Sequence, residues 1–327
     1  MPSLEDYPRD LLDFEARFST DALCREYLVQ LRWPEGFRCP DCKHDKAWAV
    51  RGAALECARC HRHTRVTAGT IFQDTKKPLR LWFRAIWYVT SQKNGASALG
   101  LQRILGIRSY VTAWSWLHKL RRAMVRPGRD KLRGTVEIDE TYVGGLEEGV
   151  SGRQTEQKAL VAVAVEEDGG GMARIRLQHV PDASACTLHT FVLASVESGS
   201  VLHTDGWDSY NGLEEFGYKR KVTVIRRRKE QAHELLPRVH RVASLLKRWI
   251  LGTHQGAISS EHLEYYLDEF TFRFNRRRSQ NRGKLFYRLL QQAVQTAPAP
   301  YTALAKGIRP GPKHGPSLRK ARSTCVT

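Results

Sequence analysis

Acidic residues are the minority charge in this 327-residue sequence: 34 Asp and Glu stand against 53 Lys and Arg, a formal net charge of +19. Such an imbalance says little about fold, but it favours a polyanionic partner, nucleic acid before an anionic membrane surface. Long apolar runs are lacking as well, and none approaches the ~18 residues of a spanning helix. The opening MPSLEDYPRDLLDFE is acidic and unlike a secretory signal. These absences set aside membrane-spanning and secreted proteins and lead to the expectation of a basic protein of the cytoplasm. No internal repeat is apparent. Hydrophobic residues make up 41%, enough for packed cores, and the length allows two or three domains.

Cysteine is also sparse, but it is clustered. Four of the seven stand as Cys39-Pro-Asp-Cys42 and Cys57-Ala-Arg-Cys60, two C-x2-C pairs separated by fourteen residues. In a reducing compartment this spacing reads as a tetrahedral structural zinc site, not as two disulfides. A ribbon so small buries little apolar surface, so bound metal supplies much of its folding free energy. His44, His61 and His63 lie nearby, but four thiolates already fill the shell. Cys24, Cys186 and Cys325 are isolated in the sequence and read as packing residues.

The pattern along the chain predicts a multidomain α/β protein. Residues 1–36 read as an N-terminal helical segment and 37–70 as the zinc ribbon. Residues 71–127 read as a helical domain with helices near 79–91, 97–105 and 109–125. A short helix, a glycine turn and a longer helix bearing Lys119, Arg121 and Arg122 suggest helix-turn-helix DNA binding. Trp82, Trp87, Trp114 and Trp116 read as core. Beyond Arg126-Pro-Gly-Arg-Asp130 the periodicity changes to strands, and 131–290 reads as a domain with a mixed sheet and helices. Lys158–Glu166 is a buried strand, and 237–251 and 261–275 are amphipathic helices. Residues 291–327 read as a basic, flexible tail.

Asp139 in VEIDE and Asp205 in HTDGW sit at the ends of expected strands beside glycines. Carboxylates so placed can hold a hard cation such as Mg²⁺ against phosphate. Thirty-five positions after Asp205 comes His240, and seven further on Lys247. Seven residues are nearly two helical turns, so His240 and Lys247 share a helix face. Glu137 shares the strand face of Asp139, and Glu140 adjoins it; both read as supporting or turn residues.

The segments GTVEIDETYVGG (134–145), HTDGWDSY (203–210), VHRVASLLKRWILGTHQG (239–256) and YLDEFTFRFNRR (266–277) closely resemble insertion-sequence transposases of the DDE type. The likeness is to the bacterial ISXO-like group with an N-terminal zinc ribbon, akin to Merlin elements, and it spans about residues 15 to 290. It implies an RNase H-like catalytic domain, two divalent ions (Mg²⁺ or Mn²⁺), and cleavage and strand transfer at the terminal inverted repeats of a mobile element. By that resemblance Asp139 and Asp205 match the first two catalytic acids. His240 stands where the third acid is expected, with Glu234 and Glu230 as nearby fallback acids, and Lys247 matches the basic residue two turns beyond. A neutral imidazole suits Mn²⁺ better than Mg²⁺, which predicts a shifted metal preference.

The basic runs Arg226-Arg227-Arg228 and Arg276-Arg277-Arg278 read as phosphate contacts, which add salt-dependent affinity without sequence information. The resemblance implies transposon-end and target DNA as partners, a homodimer or larger assembly, and work at the nucleoid. The competing reading is a non-catalytic zinc-ribbon and helix-turn-helix DNA-binding protein derived from a decayed or domesticated transposase. It explains the charge and the zinc but has no need of Asp139 and Asp205 in register.

Overall fold

The computed structural model describes residues 5–126, 128–144, 158–223, 235–256 and 258–307. Arg226, Arg227, Arg228, Glu230, Glu234 and the chain beyond 307 lie outside the described residues. In chain order the elements are α1 (Leu11–Arg17), α2 (Asp21–Arg32), β1 (Ala47–Val50), β2 (Ala54–Cys57), β3 (His63–Arg65), α3 (Leu79–Ser91), α4 (Ala98–Leu105) and α5 (Tyr110–Ala123). They continue with β4 (Thr135–Val143), β5 (Ala159–Asp168), β6 (Gly171–Val180), α6 (Ala185–Ser195), β7 (Val201–Asp205), β8 (Lys219–Thr223), α7 (Pro237–His254), α8 (Leu263–Asn275), α9 (Arg282–Ala293) and α10 (Tyr301–Ala305). The described residues divide into two units, one up to residue 126 together with 278–307, the other within 128–277.

In the first unit, the helical stretch expected over 1–36 is two helices. Thr20 interrupts it by accepting the amide of Leu23, an N-cap that starts α2. Ser97 caps α4 in the same way through the amide of Gly100, and Gly106 ends that helix at φ 60°. The core is aromatic. Phe286 of α9 packs against Phe14, Phe18 and Phe83, with ring centroids 5.4, 5.6 and 5.7 Å away. Gly283 makes this approach possible: a Cβ there would lie 1.5 Å from the carbonyl oxygen of Pro8. Helix α9 therefore packs with the N-terminal helices, and the sheet-bearing unit stops short of the residue 290 expected for it. Leu304 of α10 is fully buried, so structure persists well past residue 291.

Trp82, Trp87 and Trp116 are core, as expected, whereas Trp114 is only partly buried. Trp82 and Trp116 stack with centroids 3.8 Å apart, and the indole of Trp82 donates to Thr75 Oγ1 at 2.9 Å. Among the basic residues assigned to DNA on α5, Arg121 needs correction. Arg121 is 2% exposed; it belongs to the interior, because the apolar stripe of α5 is wide enough to carry it inward. Lys119 is half-buried, and burial pulls its ammonium below the usual lysine range. Arg122 donates to the carbonyl of Ala297 at 3.2 Å. Arg121→Ala is accordingly expected to lower unfolding free energy by about 2–4 kcal/mol, through lost packing of its long stem. A phosphate contact would instead lower the salt slope of DNA binding by about 1. Denaturant melts and salt titrations of binding separate the two outcomes.

The second unit is built on a five-stranded sheet of order β6-β5-β4-β7-β8. The pairs β4–β5 and β5–β6 are antiparallel, while β4–β7 and β7–β8 are parallel. Strand β5, between β6 and β4, is buried on both sides from Leu160 to Val165. Ala162 and Ala164 face a core with Leu188, Phe191 and Val192 of α6. Val161, Val163 and Val165 face the other core, with Val239, Val242 and Leu246 of α7 and Leu267 and Phe270 of α8. Helices thus cover both faces of a mixed sheet, which makes this a three-layer α/β arrangement. The edge strand β6 is held by α8: Asn275 accepts the amide of Ile175 at 2.7 Å and donates to its carbonyl at 3.2 Å. No described helix is long and apolar enough to cross a membrane.

Candidate active site

Asp139 is not at a strand end. It sits in the middle of β4, because antiparallel pairing with β5 continues to Val143 opposite Ala159. On the other side, parallel pairing with β7 runs from Thr135–Val201 to Glu137–His203 and then stops. Two residues past that last pair stand Asp139 and Asp205. Side chains alternate along a strand, so both carboxylates point to the face covered by α7. The adjacent parallel strands therefore set the two acids side by side where the ladder opens.

Helix α7 brings the third group. His240 Nε2 lies 3.7 Å from Asp139 Oδ2, and the two side chains are 30% and 19% exposed. Donor atoms sharing one small divalent ion stand roughly 3.0–4.2 Å apart when each bond is ~2.1 Å, so this pair fits a shared ion. Asp205, Asp139 and His240 are not gathered as tightly as a closed site. Among the described residues, the clusters whose ligating atoms all fall within 4.8 Å are the four cysteines and Glu137–Glu167–His203. Asp139 Oδ1 accepts the amide of Glu140 at 2.8 Å, and Asp205 Oδ1 accepts that of Trp207 at 3.0 Å. Each carboxylate thus has one oxygen oriented by backbone.

Lys247 lies two turns along α7 from His240 on an exposed part of the helix. Desolvation, and then the like charge of Lys158, lowers its pKa. Lys158, at the start of β5, went unnoticed in the sequence. It packs on Gly144, where a Cβ would meet its Cγ at 2.9 Å and its Cα at 3.1 Å, which accounts for a glycine after β4. Tyr210 is another addition. Its hydroxyl donates to Glu140 from a fully buried position. Burial, then the Glu140 charge, holds its pKa well above the usual tyrosine value, so it remains a donor. Glu137, the expected supporting residue, is completely buried and binds the start of α7.

In the ribbon, Cys39 and Cys60 Sγ atoms are 3.6 Å apart and those of Cys42 and Cys57 3.5 Å. Tetrahedral thiolates at ~2.3 Å from zinc stand about 3.8 Å apart, so the four fit that ion. Desolvation opposes ionisation of Cys39, yet the amides of Cys42 and Asp41 outweigh it and bring the thiol down to about 6. His61 and His63 turn away and bind Glu56 at 3.0 and 3.1 Å.

Two family models match the chain: a transposase zinc-ribbon domain over residues 19–63 and an ISXO2-like transposase domain over 131–275. Together they take in more than half of the sequence. Residues 131–275 are an ISXO2-like transposase domain, and residues 19–63 a transposase zinc ribbon. An uncharacterised protein in transposable element ISH50 of Halobacterium salinarum is 27% identical over 281 residues, covering 78% of this chain and 91% of that relative. Among solved structures, the Mos1 transposase paired-end complex with left transposon end is similar at TM-score 0.31 and 13% identity, over 68% of this chain and 79% of that one. A simian T-cell lymphotropic virus intasome in complex with PP2A regulatory subunit B56 gamma is similar at TM-score 0.29 and 14% identity, over 71% and 79%. These structural likenesses are distant, and the site stands on its own geometry.

The ISXO2-like domain covers β4 through α8, and with them Asp139, Asp205, His240 and Lys247. Two of the arginines assigned to phosphate at its end have other partners. Arg276 lies over the ring of Phe272 at 4.1 Å, and Arg277 over Phe274 at 4.0 Å. Arg277 also donates to the carbonyls of Ala173 at 2.9 Å and Met172 at the edge of β6. Their guanidinium groups satisfy helix-end and sheet-edge carbonyls, a structural duty that a run of arginines in sequence does not reveal. Arg278, just beyond, is exposed.

Proposed function

We propose that this transposase binds the terminal inverted repeats of its element and catalyses metal-dependent strand cleavage and strand transfer. The observation that carries the reading is the placement of Asp139 and Asp205 level on adjacent parallel strands, with His240 of α7 3.7 Å from Asp139. A non-catalytic DNA-binding protein has no use for that register. Asp139, Asp205 and His240 hold the divalent ions. When bound, those ions supply activation of water or a 3′-hydroxyl and stabilise the departing oxygen of an in-line displacement. The backbone-bound oxygens of Asp139 and Asp205 keep both carboxylates in a fixed orientation, so little reorganisation accompanies DNA binding. Lys247 and Lys158 meet the phosphates flanking the scissile bond, and mutual repulsion between them is relieved by the incoming charge.

End recognition falls to the zinc ribbon and to α4 and α5 as a helix-turn-helix. In such pairs the N-terminal residues of the second helix reach base edges. That part of α5 is exposed here, Tyr110 by 50% and Val111 by 46%, whereas its basic C-terminal end is largely covered. Joining two element ends to a target calls for a homodimer or larger assembly acting at the nucleoid.

The imidazole at the third position sets the metal preference. Cleavage of a labelled element-end duplex is expected to be faster in Mn²⁺ than in Mg²⁺ by roughly an order of magnitude, and His240→Glu should narrow or reverse that ratio. Initial cleavage rates in each metal test it; wild-type activity in Mg²⁺ equal to or above that in Mn²⁺ overturns the role given to His240.

A further inference from the structure

One pleat below the acid pair lies a buried polar layer. Glu137, Glu167 and His203 bring ligating atoms within 4.8 Å of one another, and by residue type they resemble a metal site. Both carboxylates are already engaged by a cation of the chain itself. Arg238 Nη1 lies 2.7 Å from Glu137 Oε1 and 3.0 Å from Glu167 Oε1, and its Nε donates to the carbonyl of Gly171 at 2.9 Å. An ion placed there would sit against a guanidinium. The layer is a clamp on α7, joining its first turn to β4, β5 and β6.

The other oxygen of Glu137 completes the clamp. Oε2 accepts the amides of Arg238 at 2.8 Å and Val239 at 3.0 Å. These belong to the opening turn of α7, where amides have no partner within the helix. The helix starts at Leu236 and Pro237, neither of which offers a capping side chain. Glu137 thus supplies from a strand the N-cap that the helix lacks, with a charge of the sign that a helix start favours. His240 follows Val239 directly. Turning α7 by one residue, about 100°, would break every one of these bonds and swing His240 away from Asp139.

We infer that Glu137 is a positioning residue of the cleavage site, fixing the rotation and depth of α7 so that His240 stands beside Asp139. The inference rests on the reading of Asp139, Asp205 and His240 as that site. Its test is a double-mutant cycle in the full-length, zinc-loaded protein with Glu137→Gln, His240→Ala and the pair. Two readouts are taken: Mn²⁺ affinity, from paramagnetic resonance of the free ion, and single-turnover cleavage of an element-end duplex. With His240 present, Glu137→Gln is expected to lower both by about 10- to 100-fold, as is usual when a partner that orients a ligand is lost. With Ala at 240 the same substitution should cost less than about threefold, because nothing is left to position.

Equal losses in the two backgrounds, or no loss in either, overturn the inference, since a general loss of stability acts regardless of residue 240. If Glu137→Gln does not melt cooperatively, Arg238→Lys takes its place in the cycle. It leaves both amide bonds and loosens only the clamp, and the same dependence on His240 is expected. Asp139→Asn, run alongside, distinguishes the premise: wild-type Mn²⁺ affinity and cleavage in that variant would remove the site itself, whatever the cycle shows.

Discussion

Asp139→Asn is expected to abolish cleavage of element-end DNA, lowering the single-turnover rate by about 10³-fold or more, while end binding and the melting temperature stay near wild type. The local fold should tolerate the change. Asparagine keeps a carbonyl oxygen where Asp139 Oδ1 accepts the amide of Glu140 at 2.8 Å, and the side chain is 19% exposed. What it loses is one negative charge and a hard oxygen donor facing His240. A metal in such a site contributes several kcal/mol of transition-state stabilisation, and each ~1.4 kcal/mol is tenfold in rate. His240 contributes no charge when neutral, so Asp139 and Asp205 carry the anionic part of the site between them. Removing one of two is a larger fraction than removing one of three. Gel assays on a labelled duplex, beside mobility-shift binding, decide it; cleavage within tenfold of wild type would take Asp139 out of the role.

Some of this arrangement was readable from residues alone, and the reason is local. The unbroken apolar run in KALVAVAVE requires burial on both faces of a strand, and β5 alternates between two cores accordingly. The apolar stripe of α7 left His240 and Lys247 on one neighbouring face, and a continuous helix from Pro237 to His254 carries both. Contacts between distant segments were the harder part. Strand β8, KRKVT, has little apolar content, since an edge strand is guarded by charge, and its sequence carries no strand signal. Helix α9 has an amphipathic pattern, but nothing in it tells that Phe286 joins Phe14, Phe18 and Phe83 rather than the sheet. Partners of the arginines were hidden as well. Arg121, Arg276 and Arg277 look like phosphate contacts in a chain of +19, yet burial, ring faces and backbone carbonyls engage them. Arg238 and Glu137, separated by 101 positions, form a clamp that no short motif encodes.

Zinc removal should be the largest stability effect in the protein, and it should be confined to the first unit. Strands β1, β2 and β3 contain only four, four and three residues, and within them few side chains are buried apart from Ala54, Cys57 and Thr64. That much apolar burial cannot offset the conformational entropy of ordering some thirty residues, at ~1–2 kcal/mol each. Metal binding at four thiolates is the contribution of the right size, with apparent values of about 10–16 kcal/mol in zinc-finger peptides. Chelation, or Cys57→Ser, is therefore expected to unfold the ribbon, release the ion and abolish end-specific DNA binding. The thermal transition of the sheet-bearing unit should remain, because its cores contain no thiolate ligand. Cys24→Ser is the control. That thiol is buried in α2, and burial pushes it up to about 12, so it is not a thiolate ligand and its replacement should leave zinc content unchanged. Zinc quantification, calorimetry and mobility shift on the three proteins check each arm. A Cys57→Ser protein that keeps both its zinc and its end binding would show that the four cysteines do not act as one site.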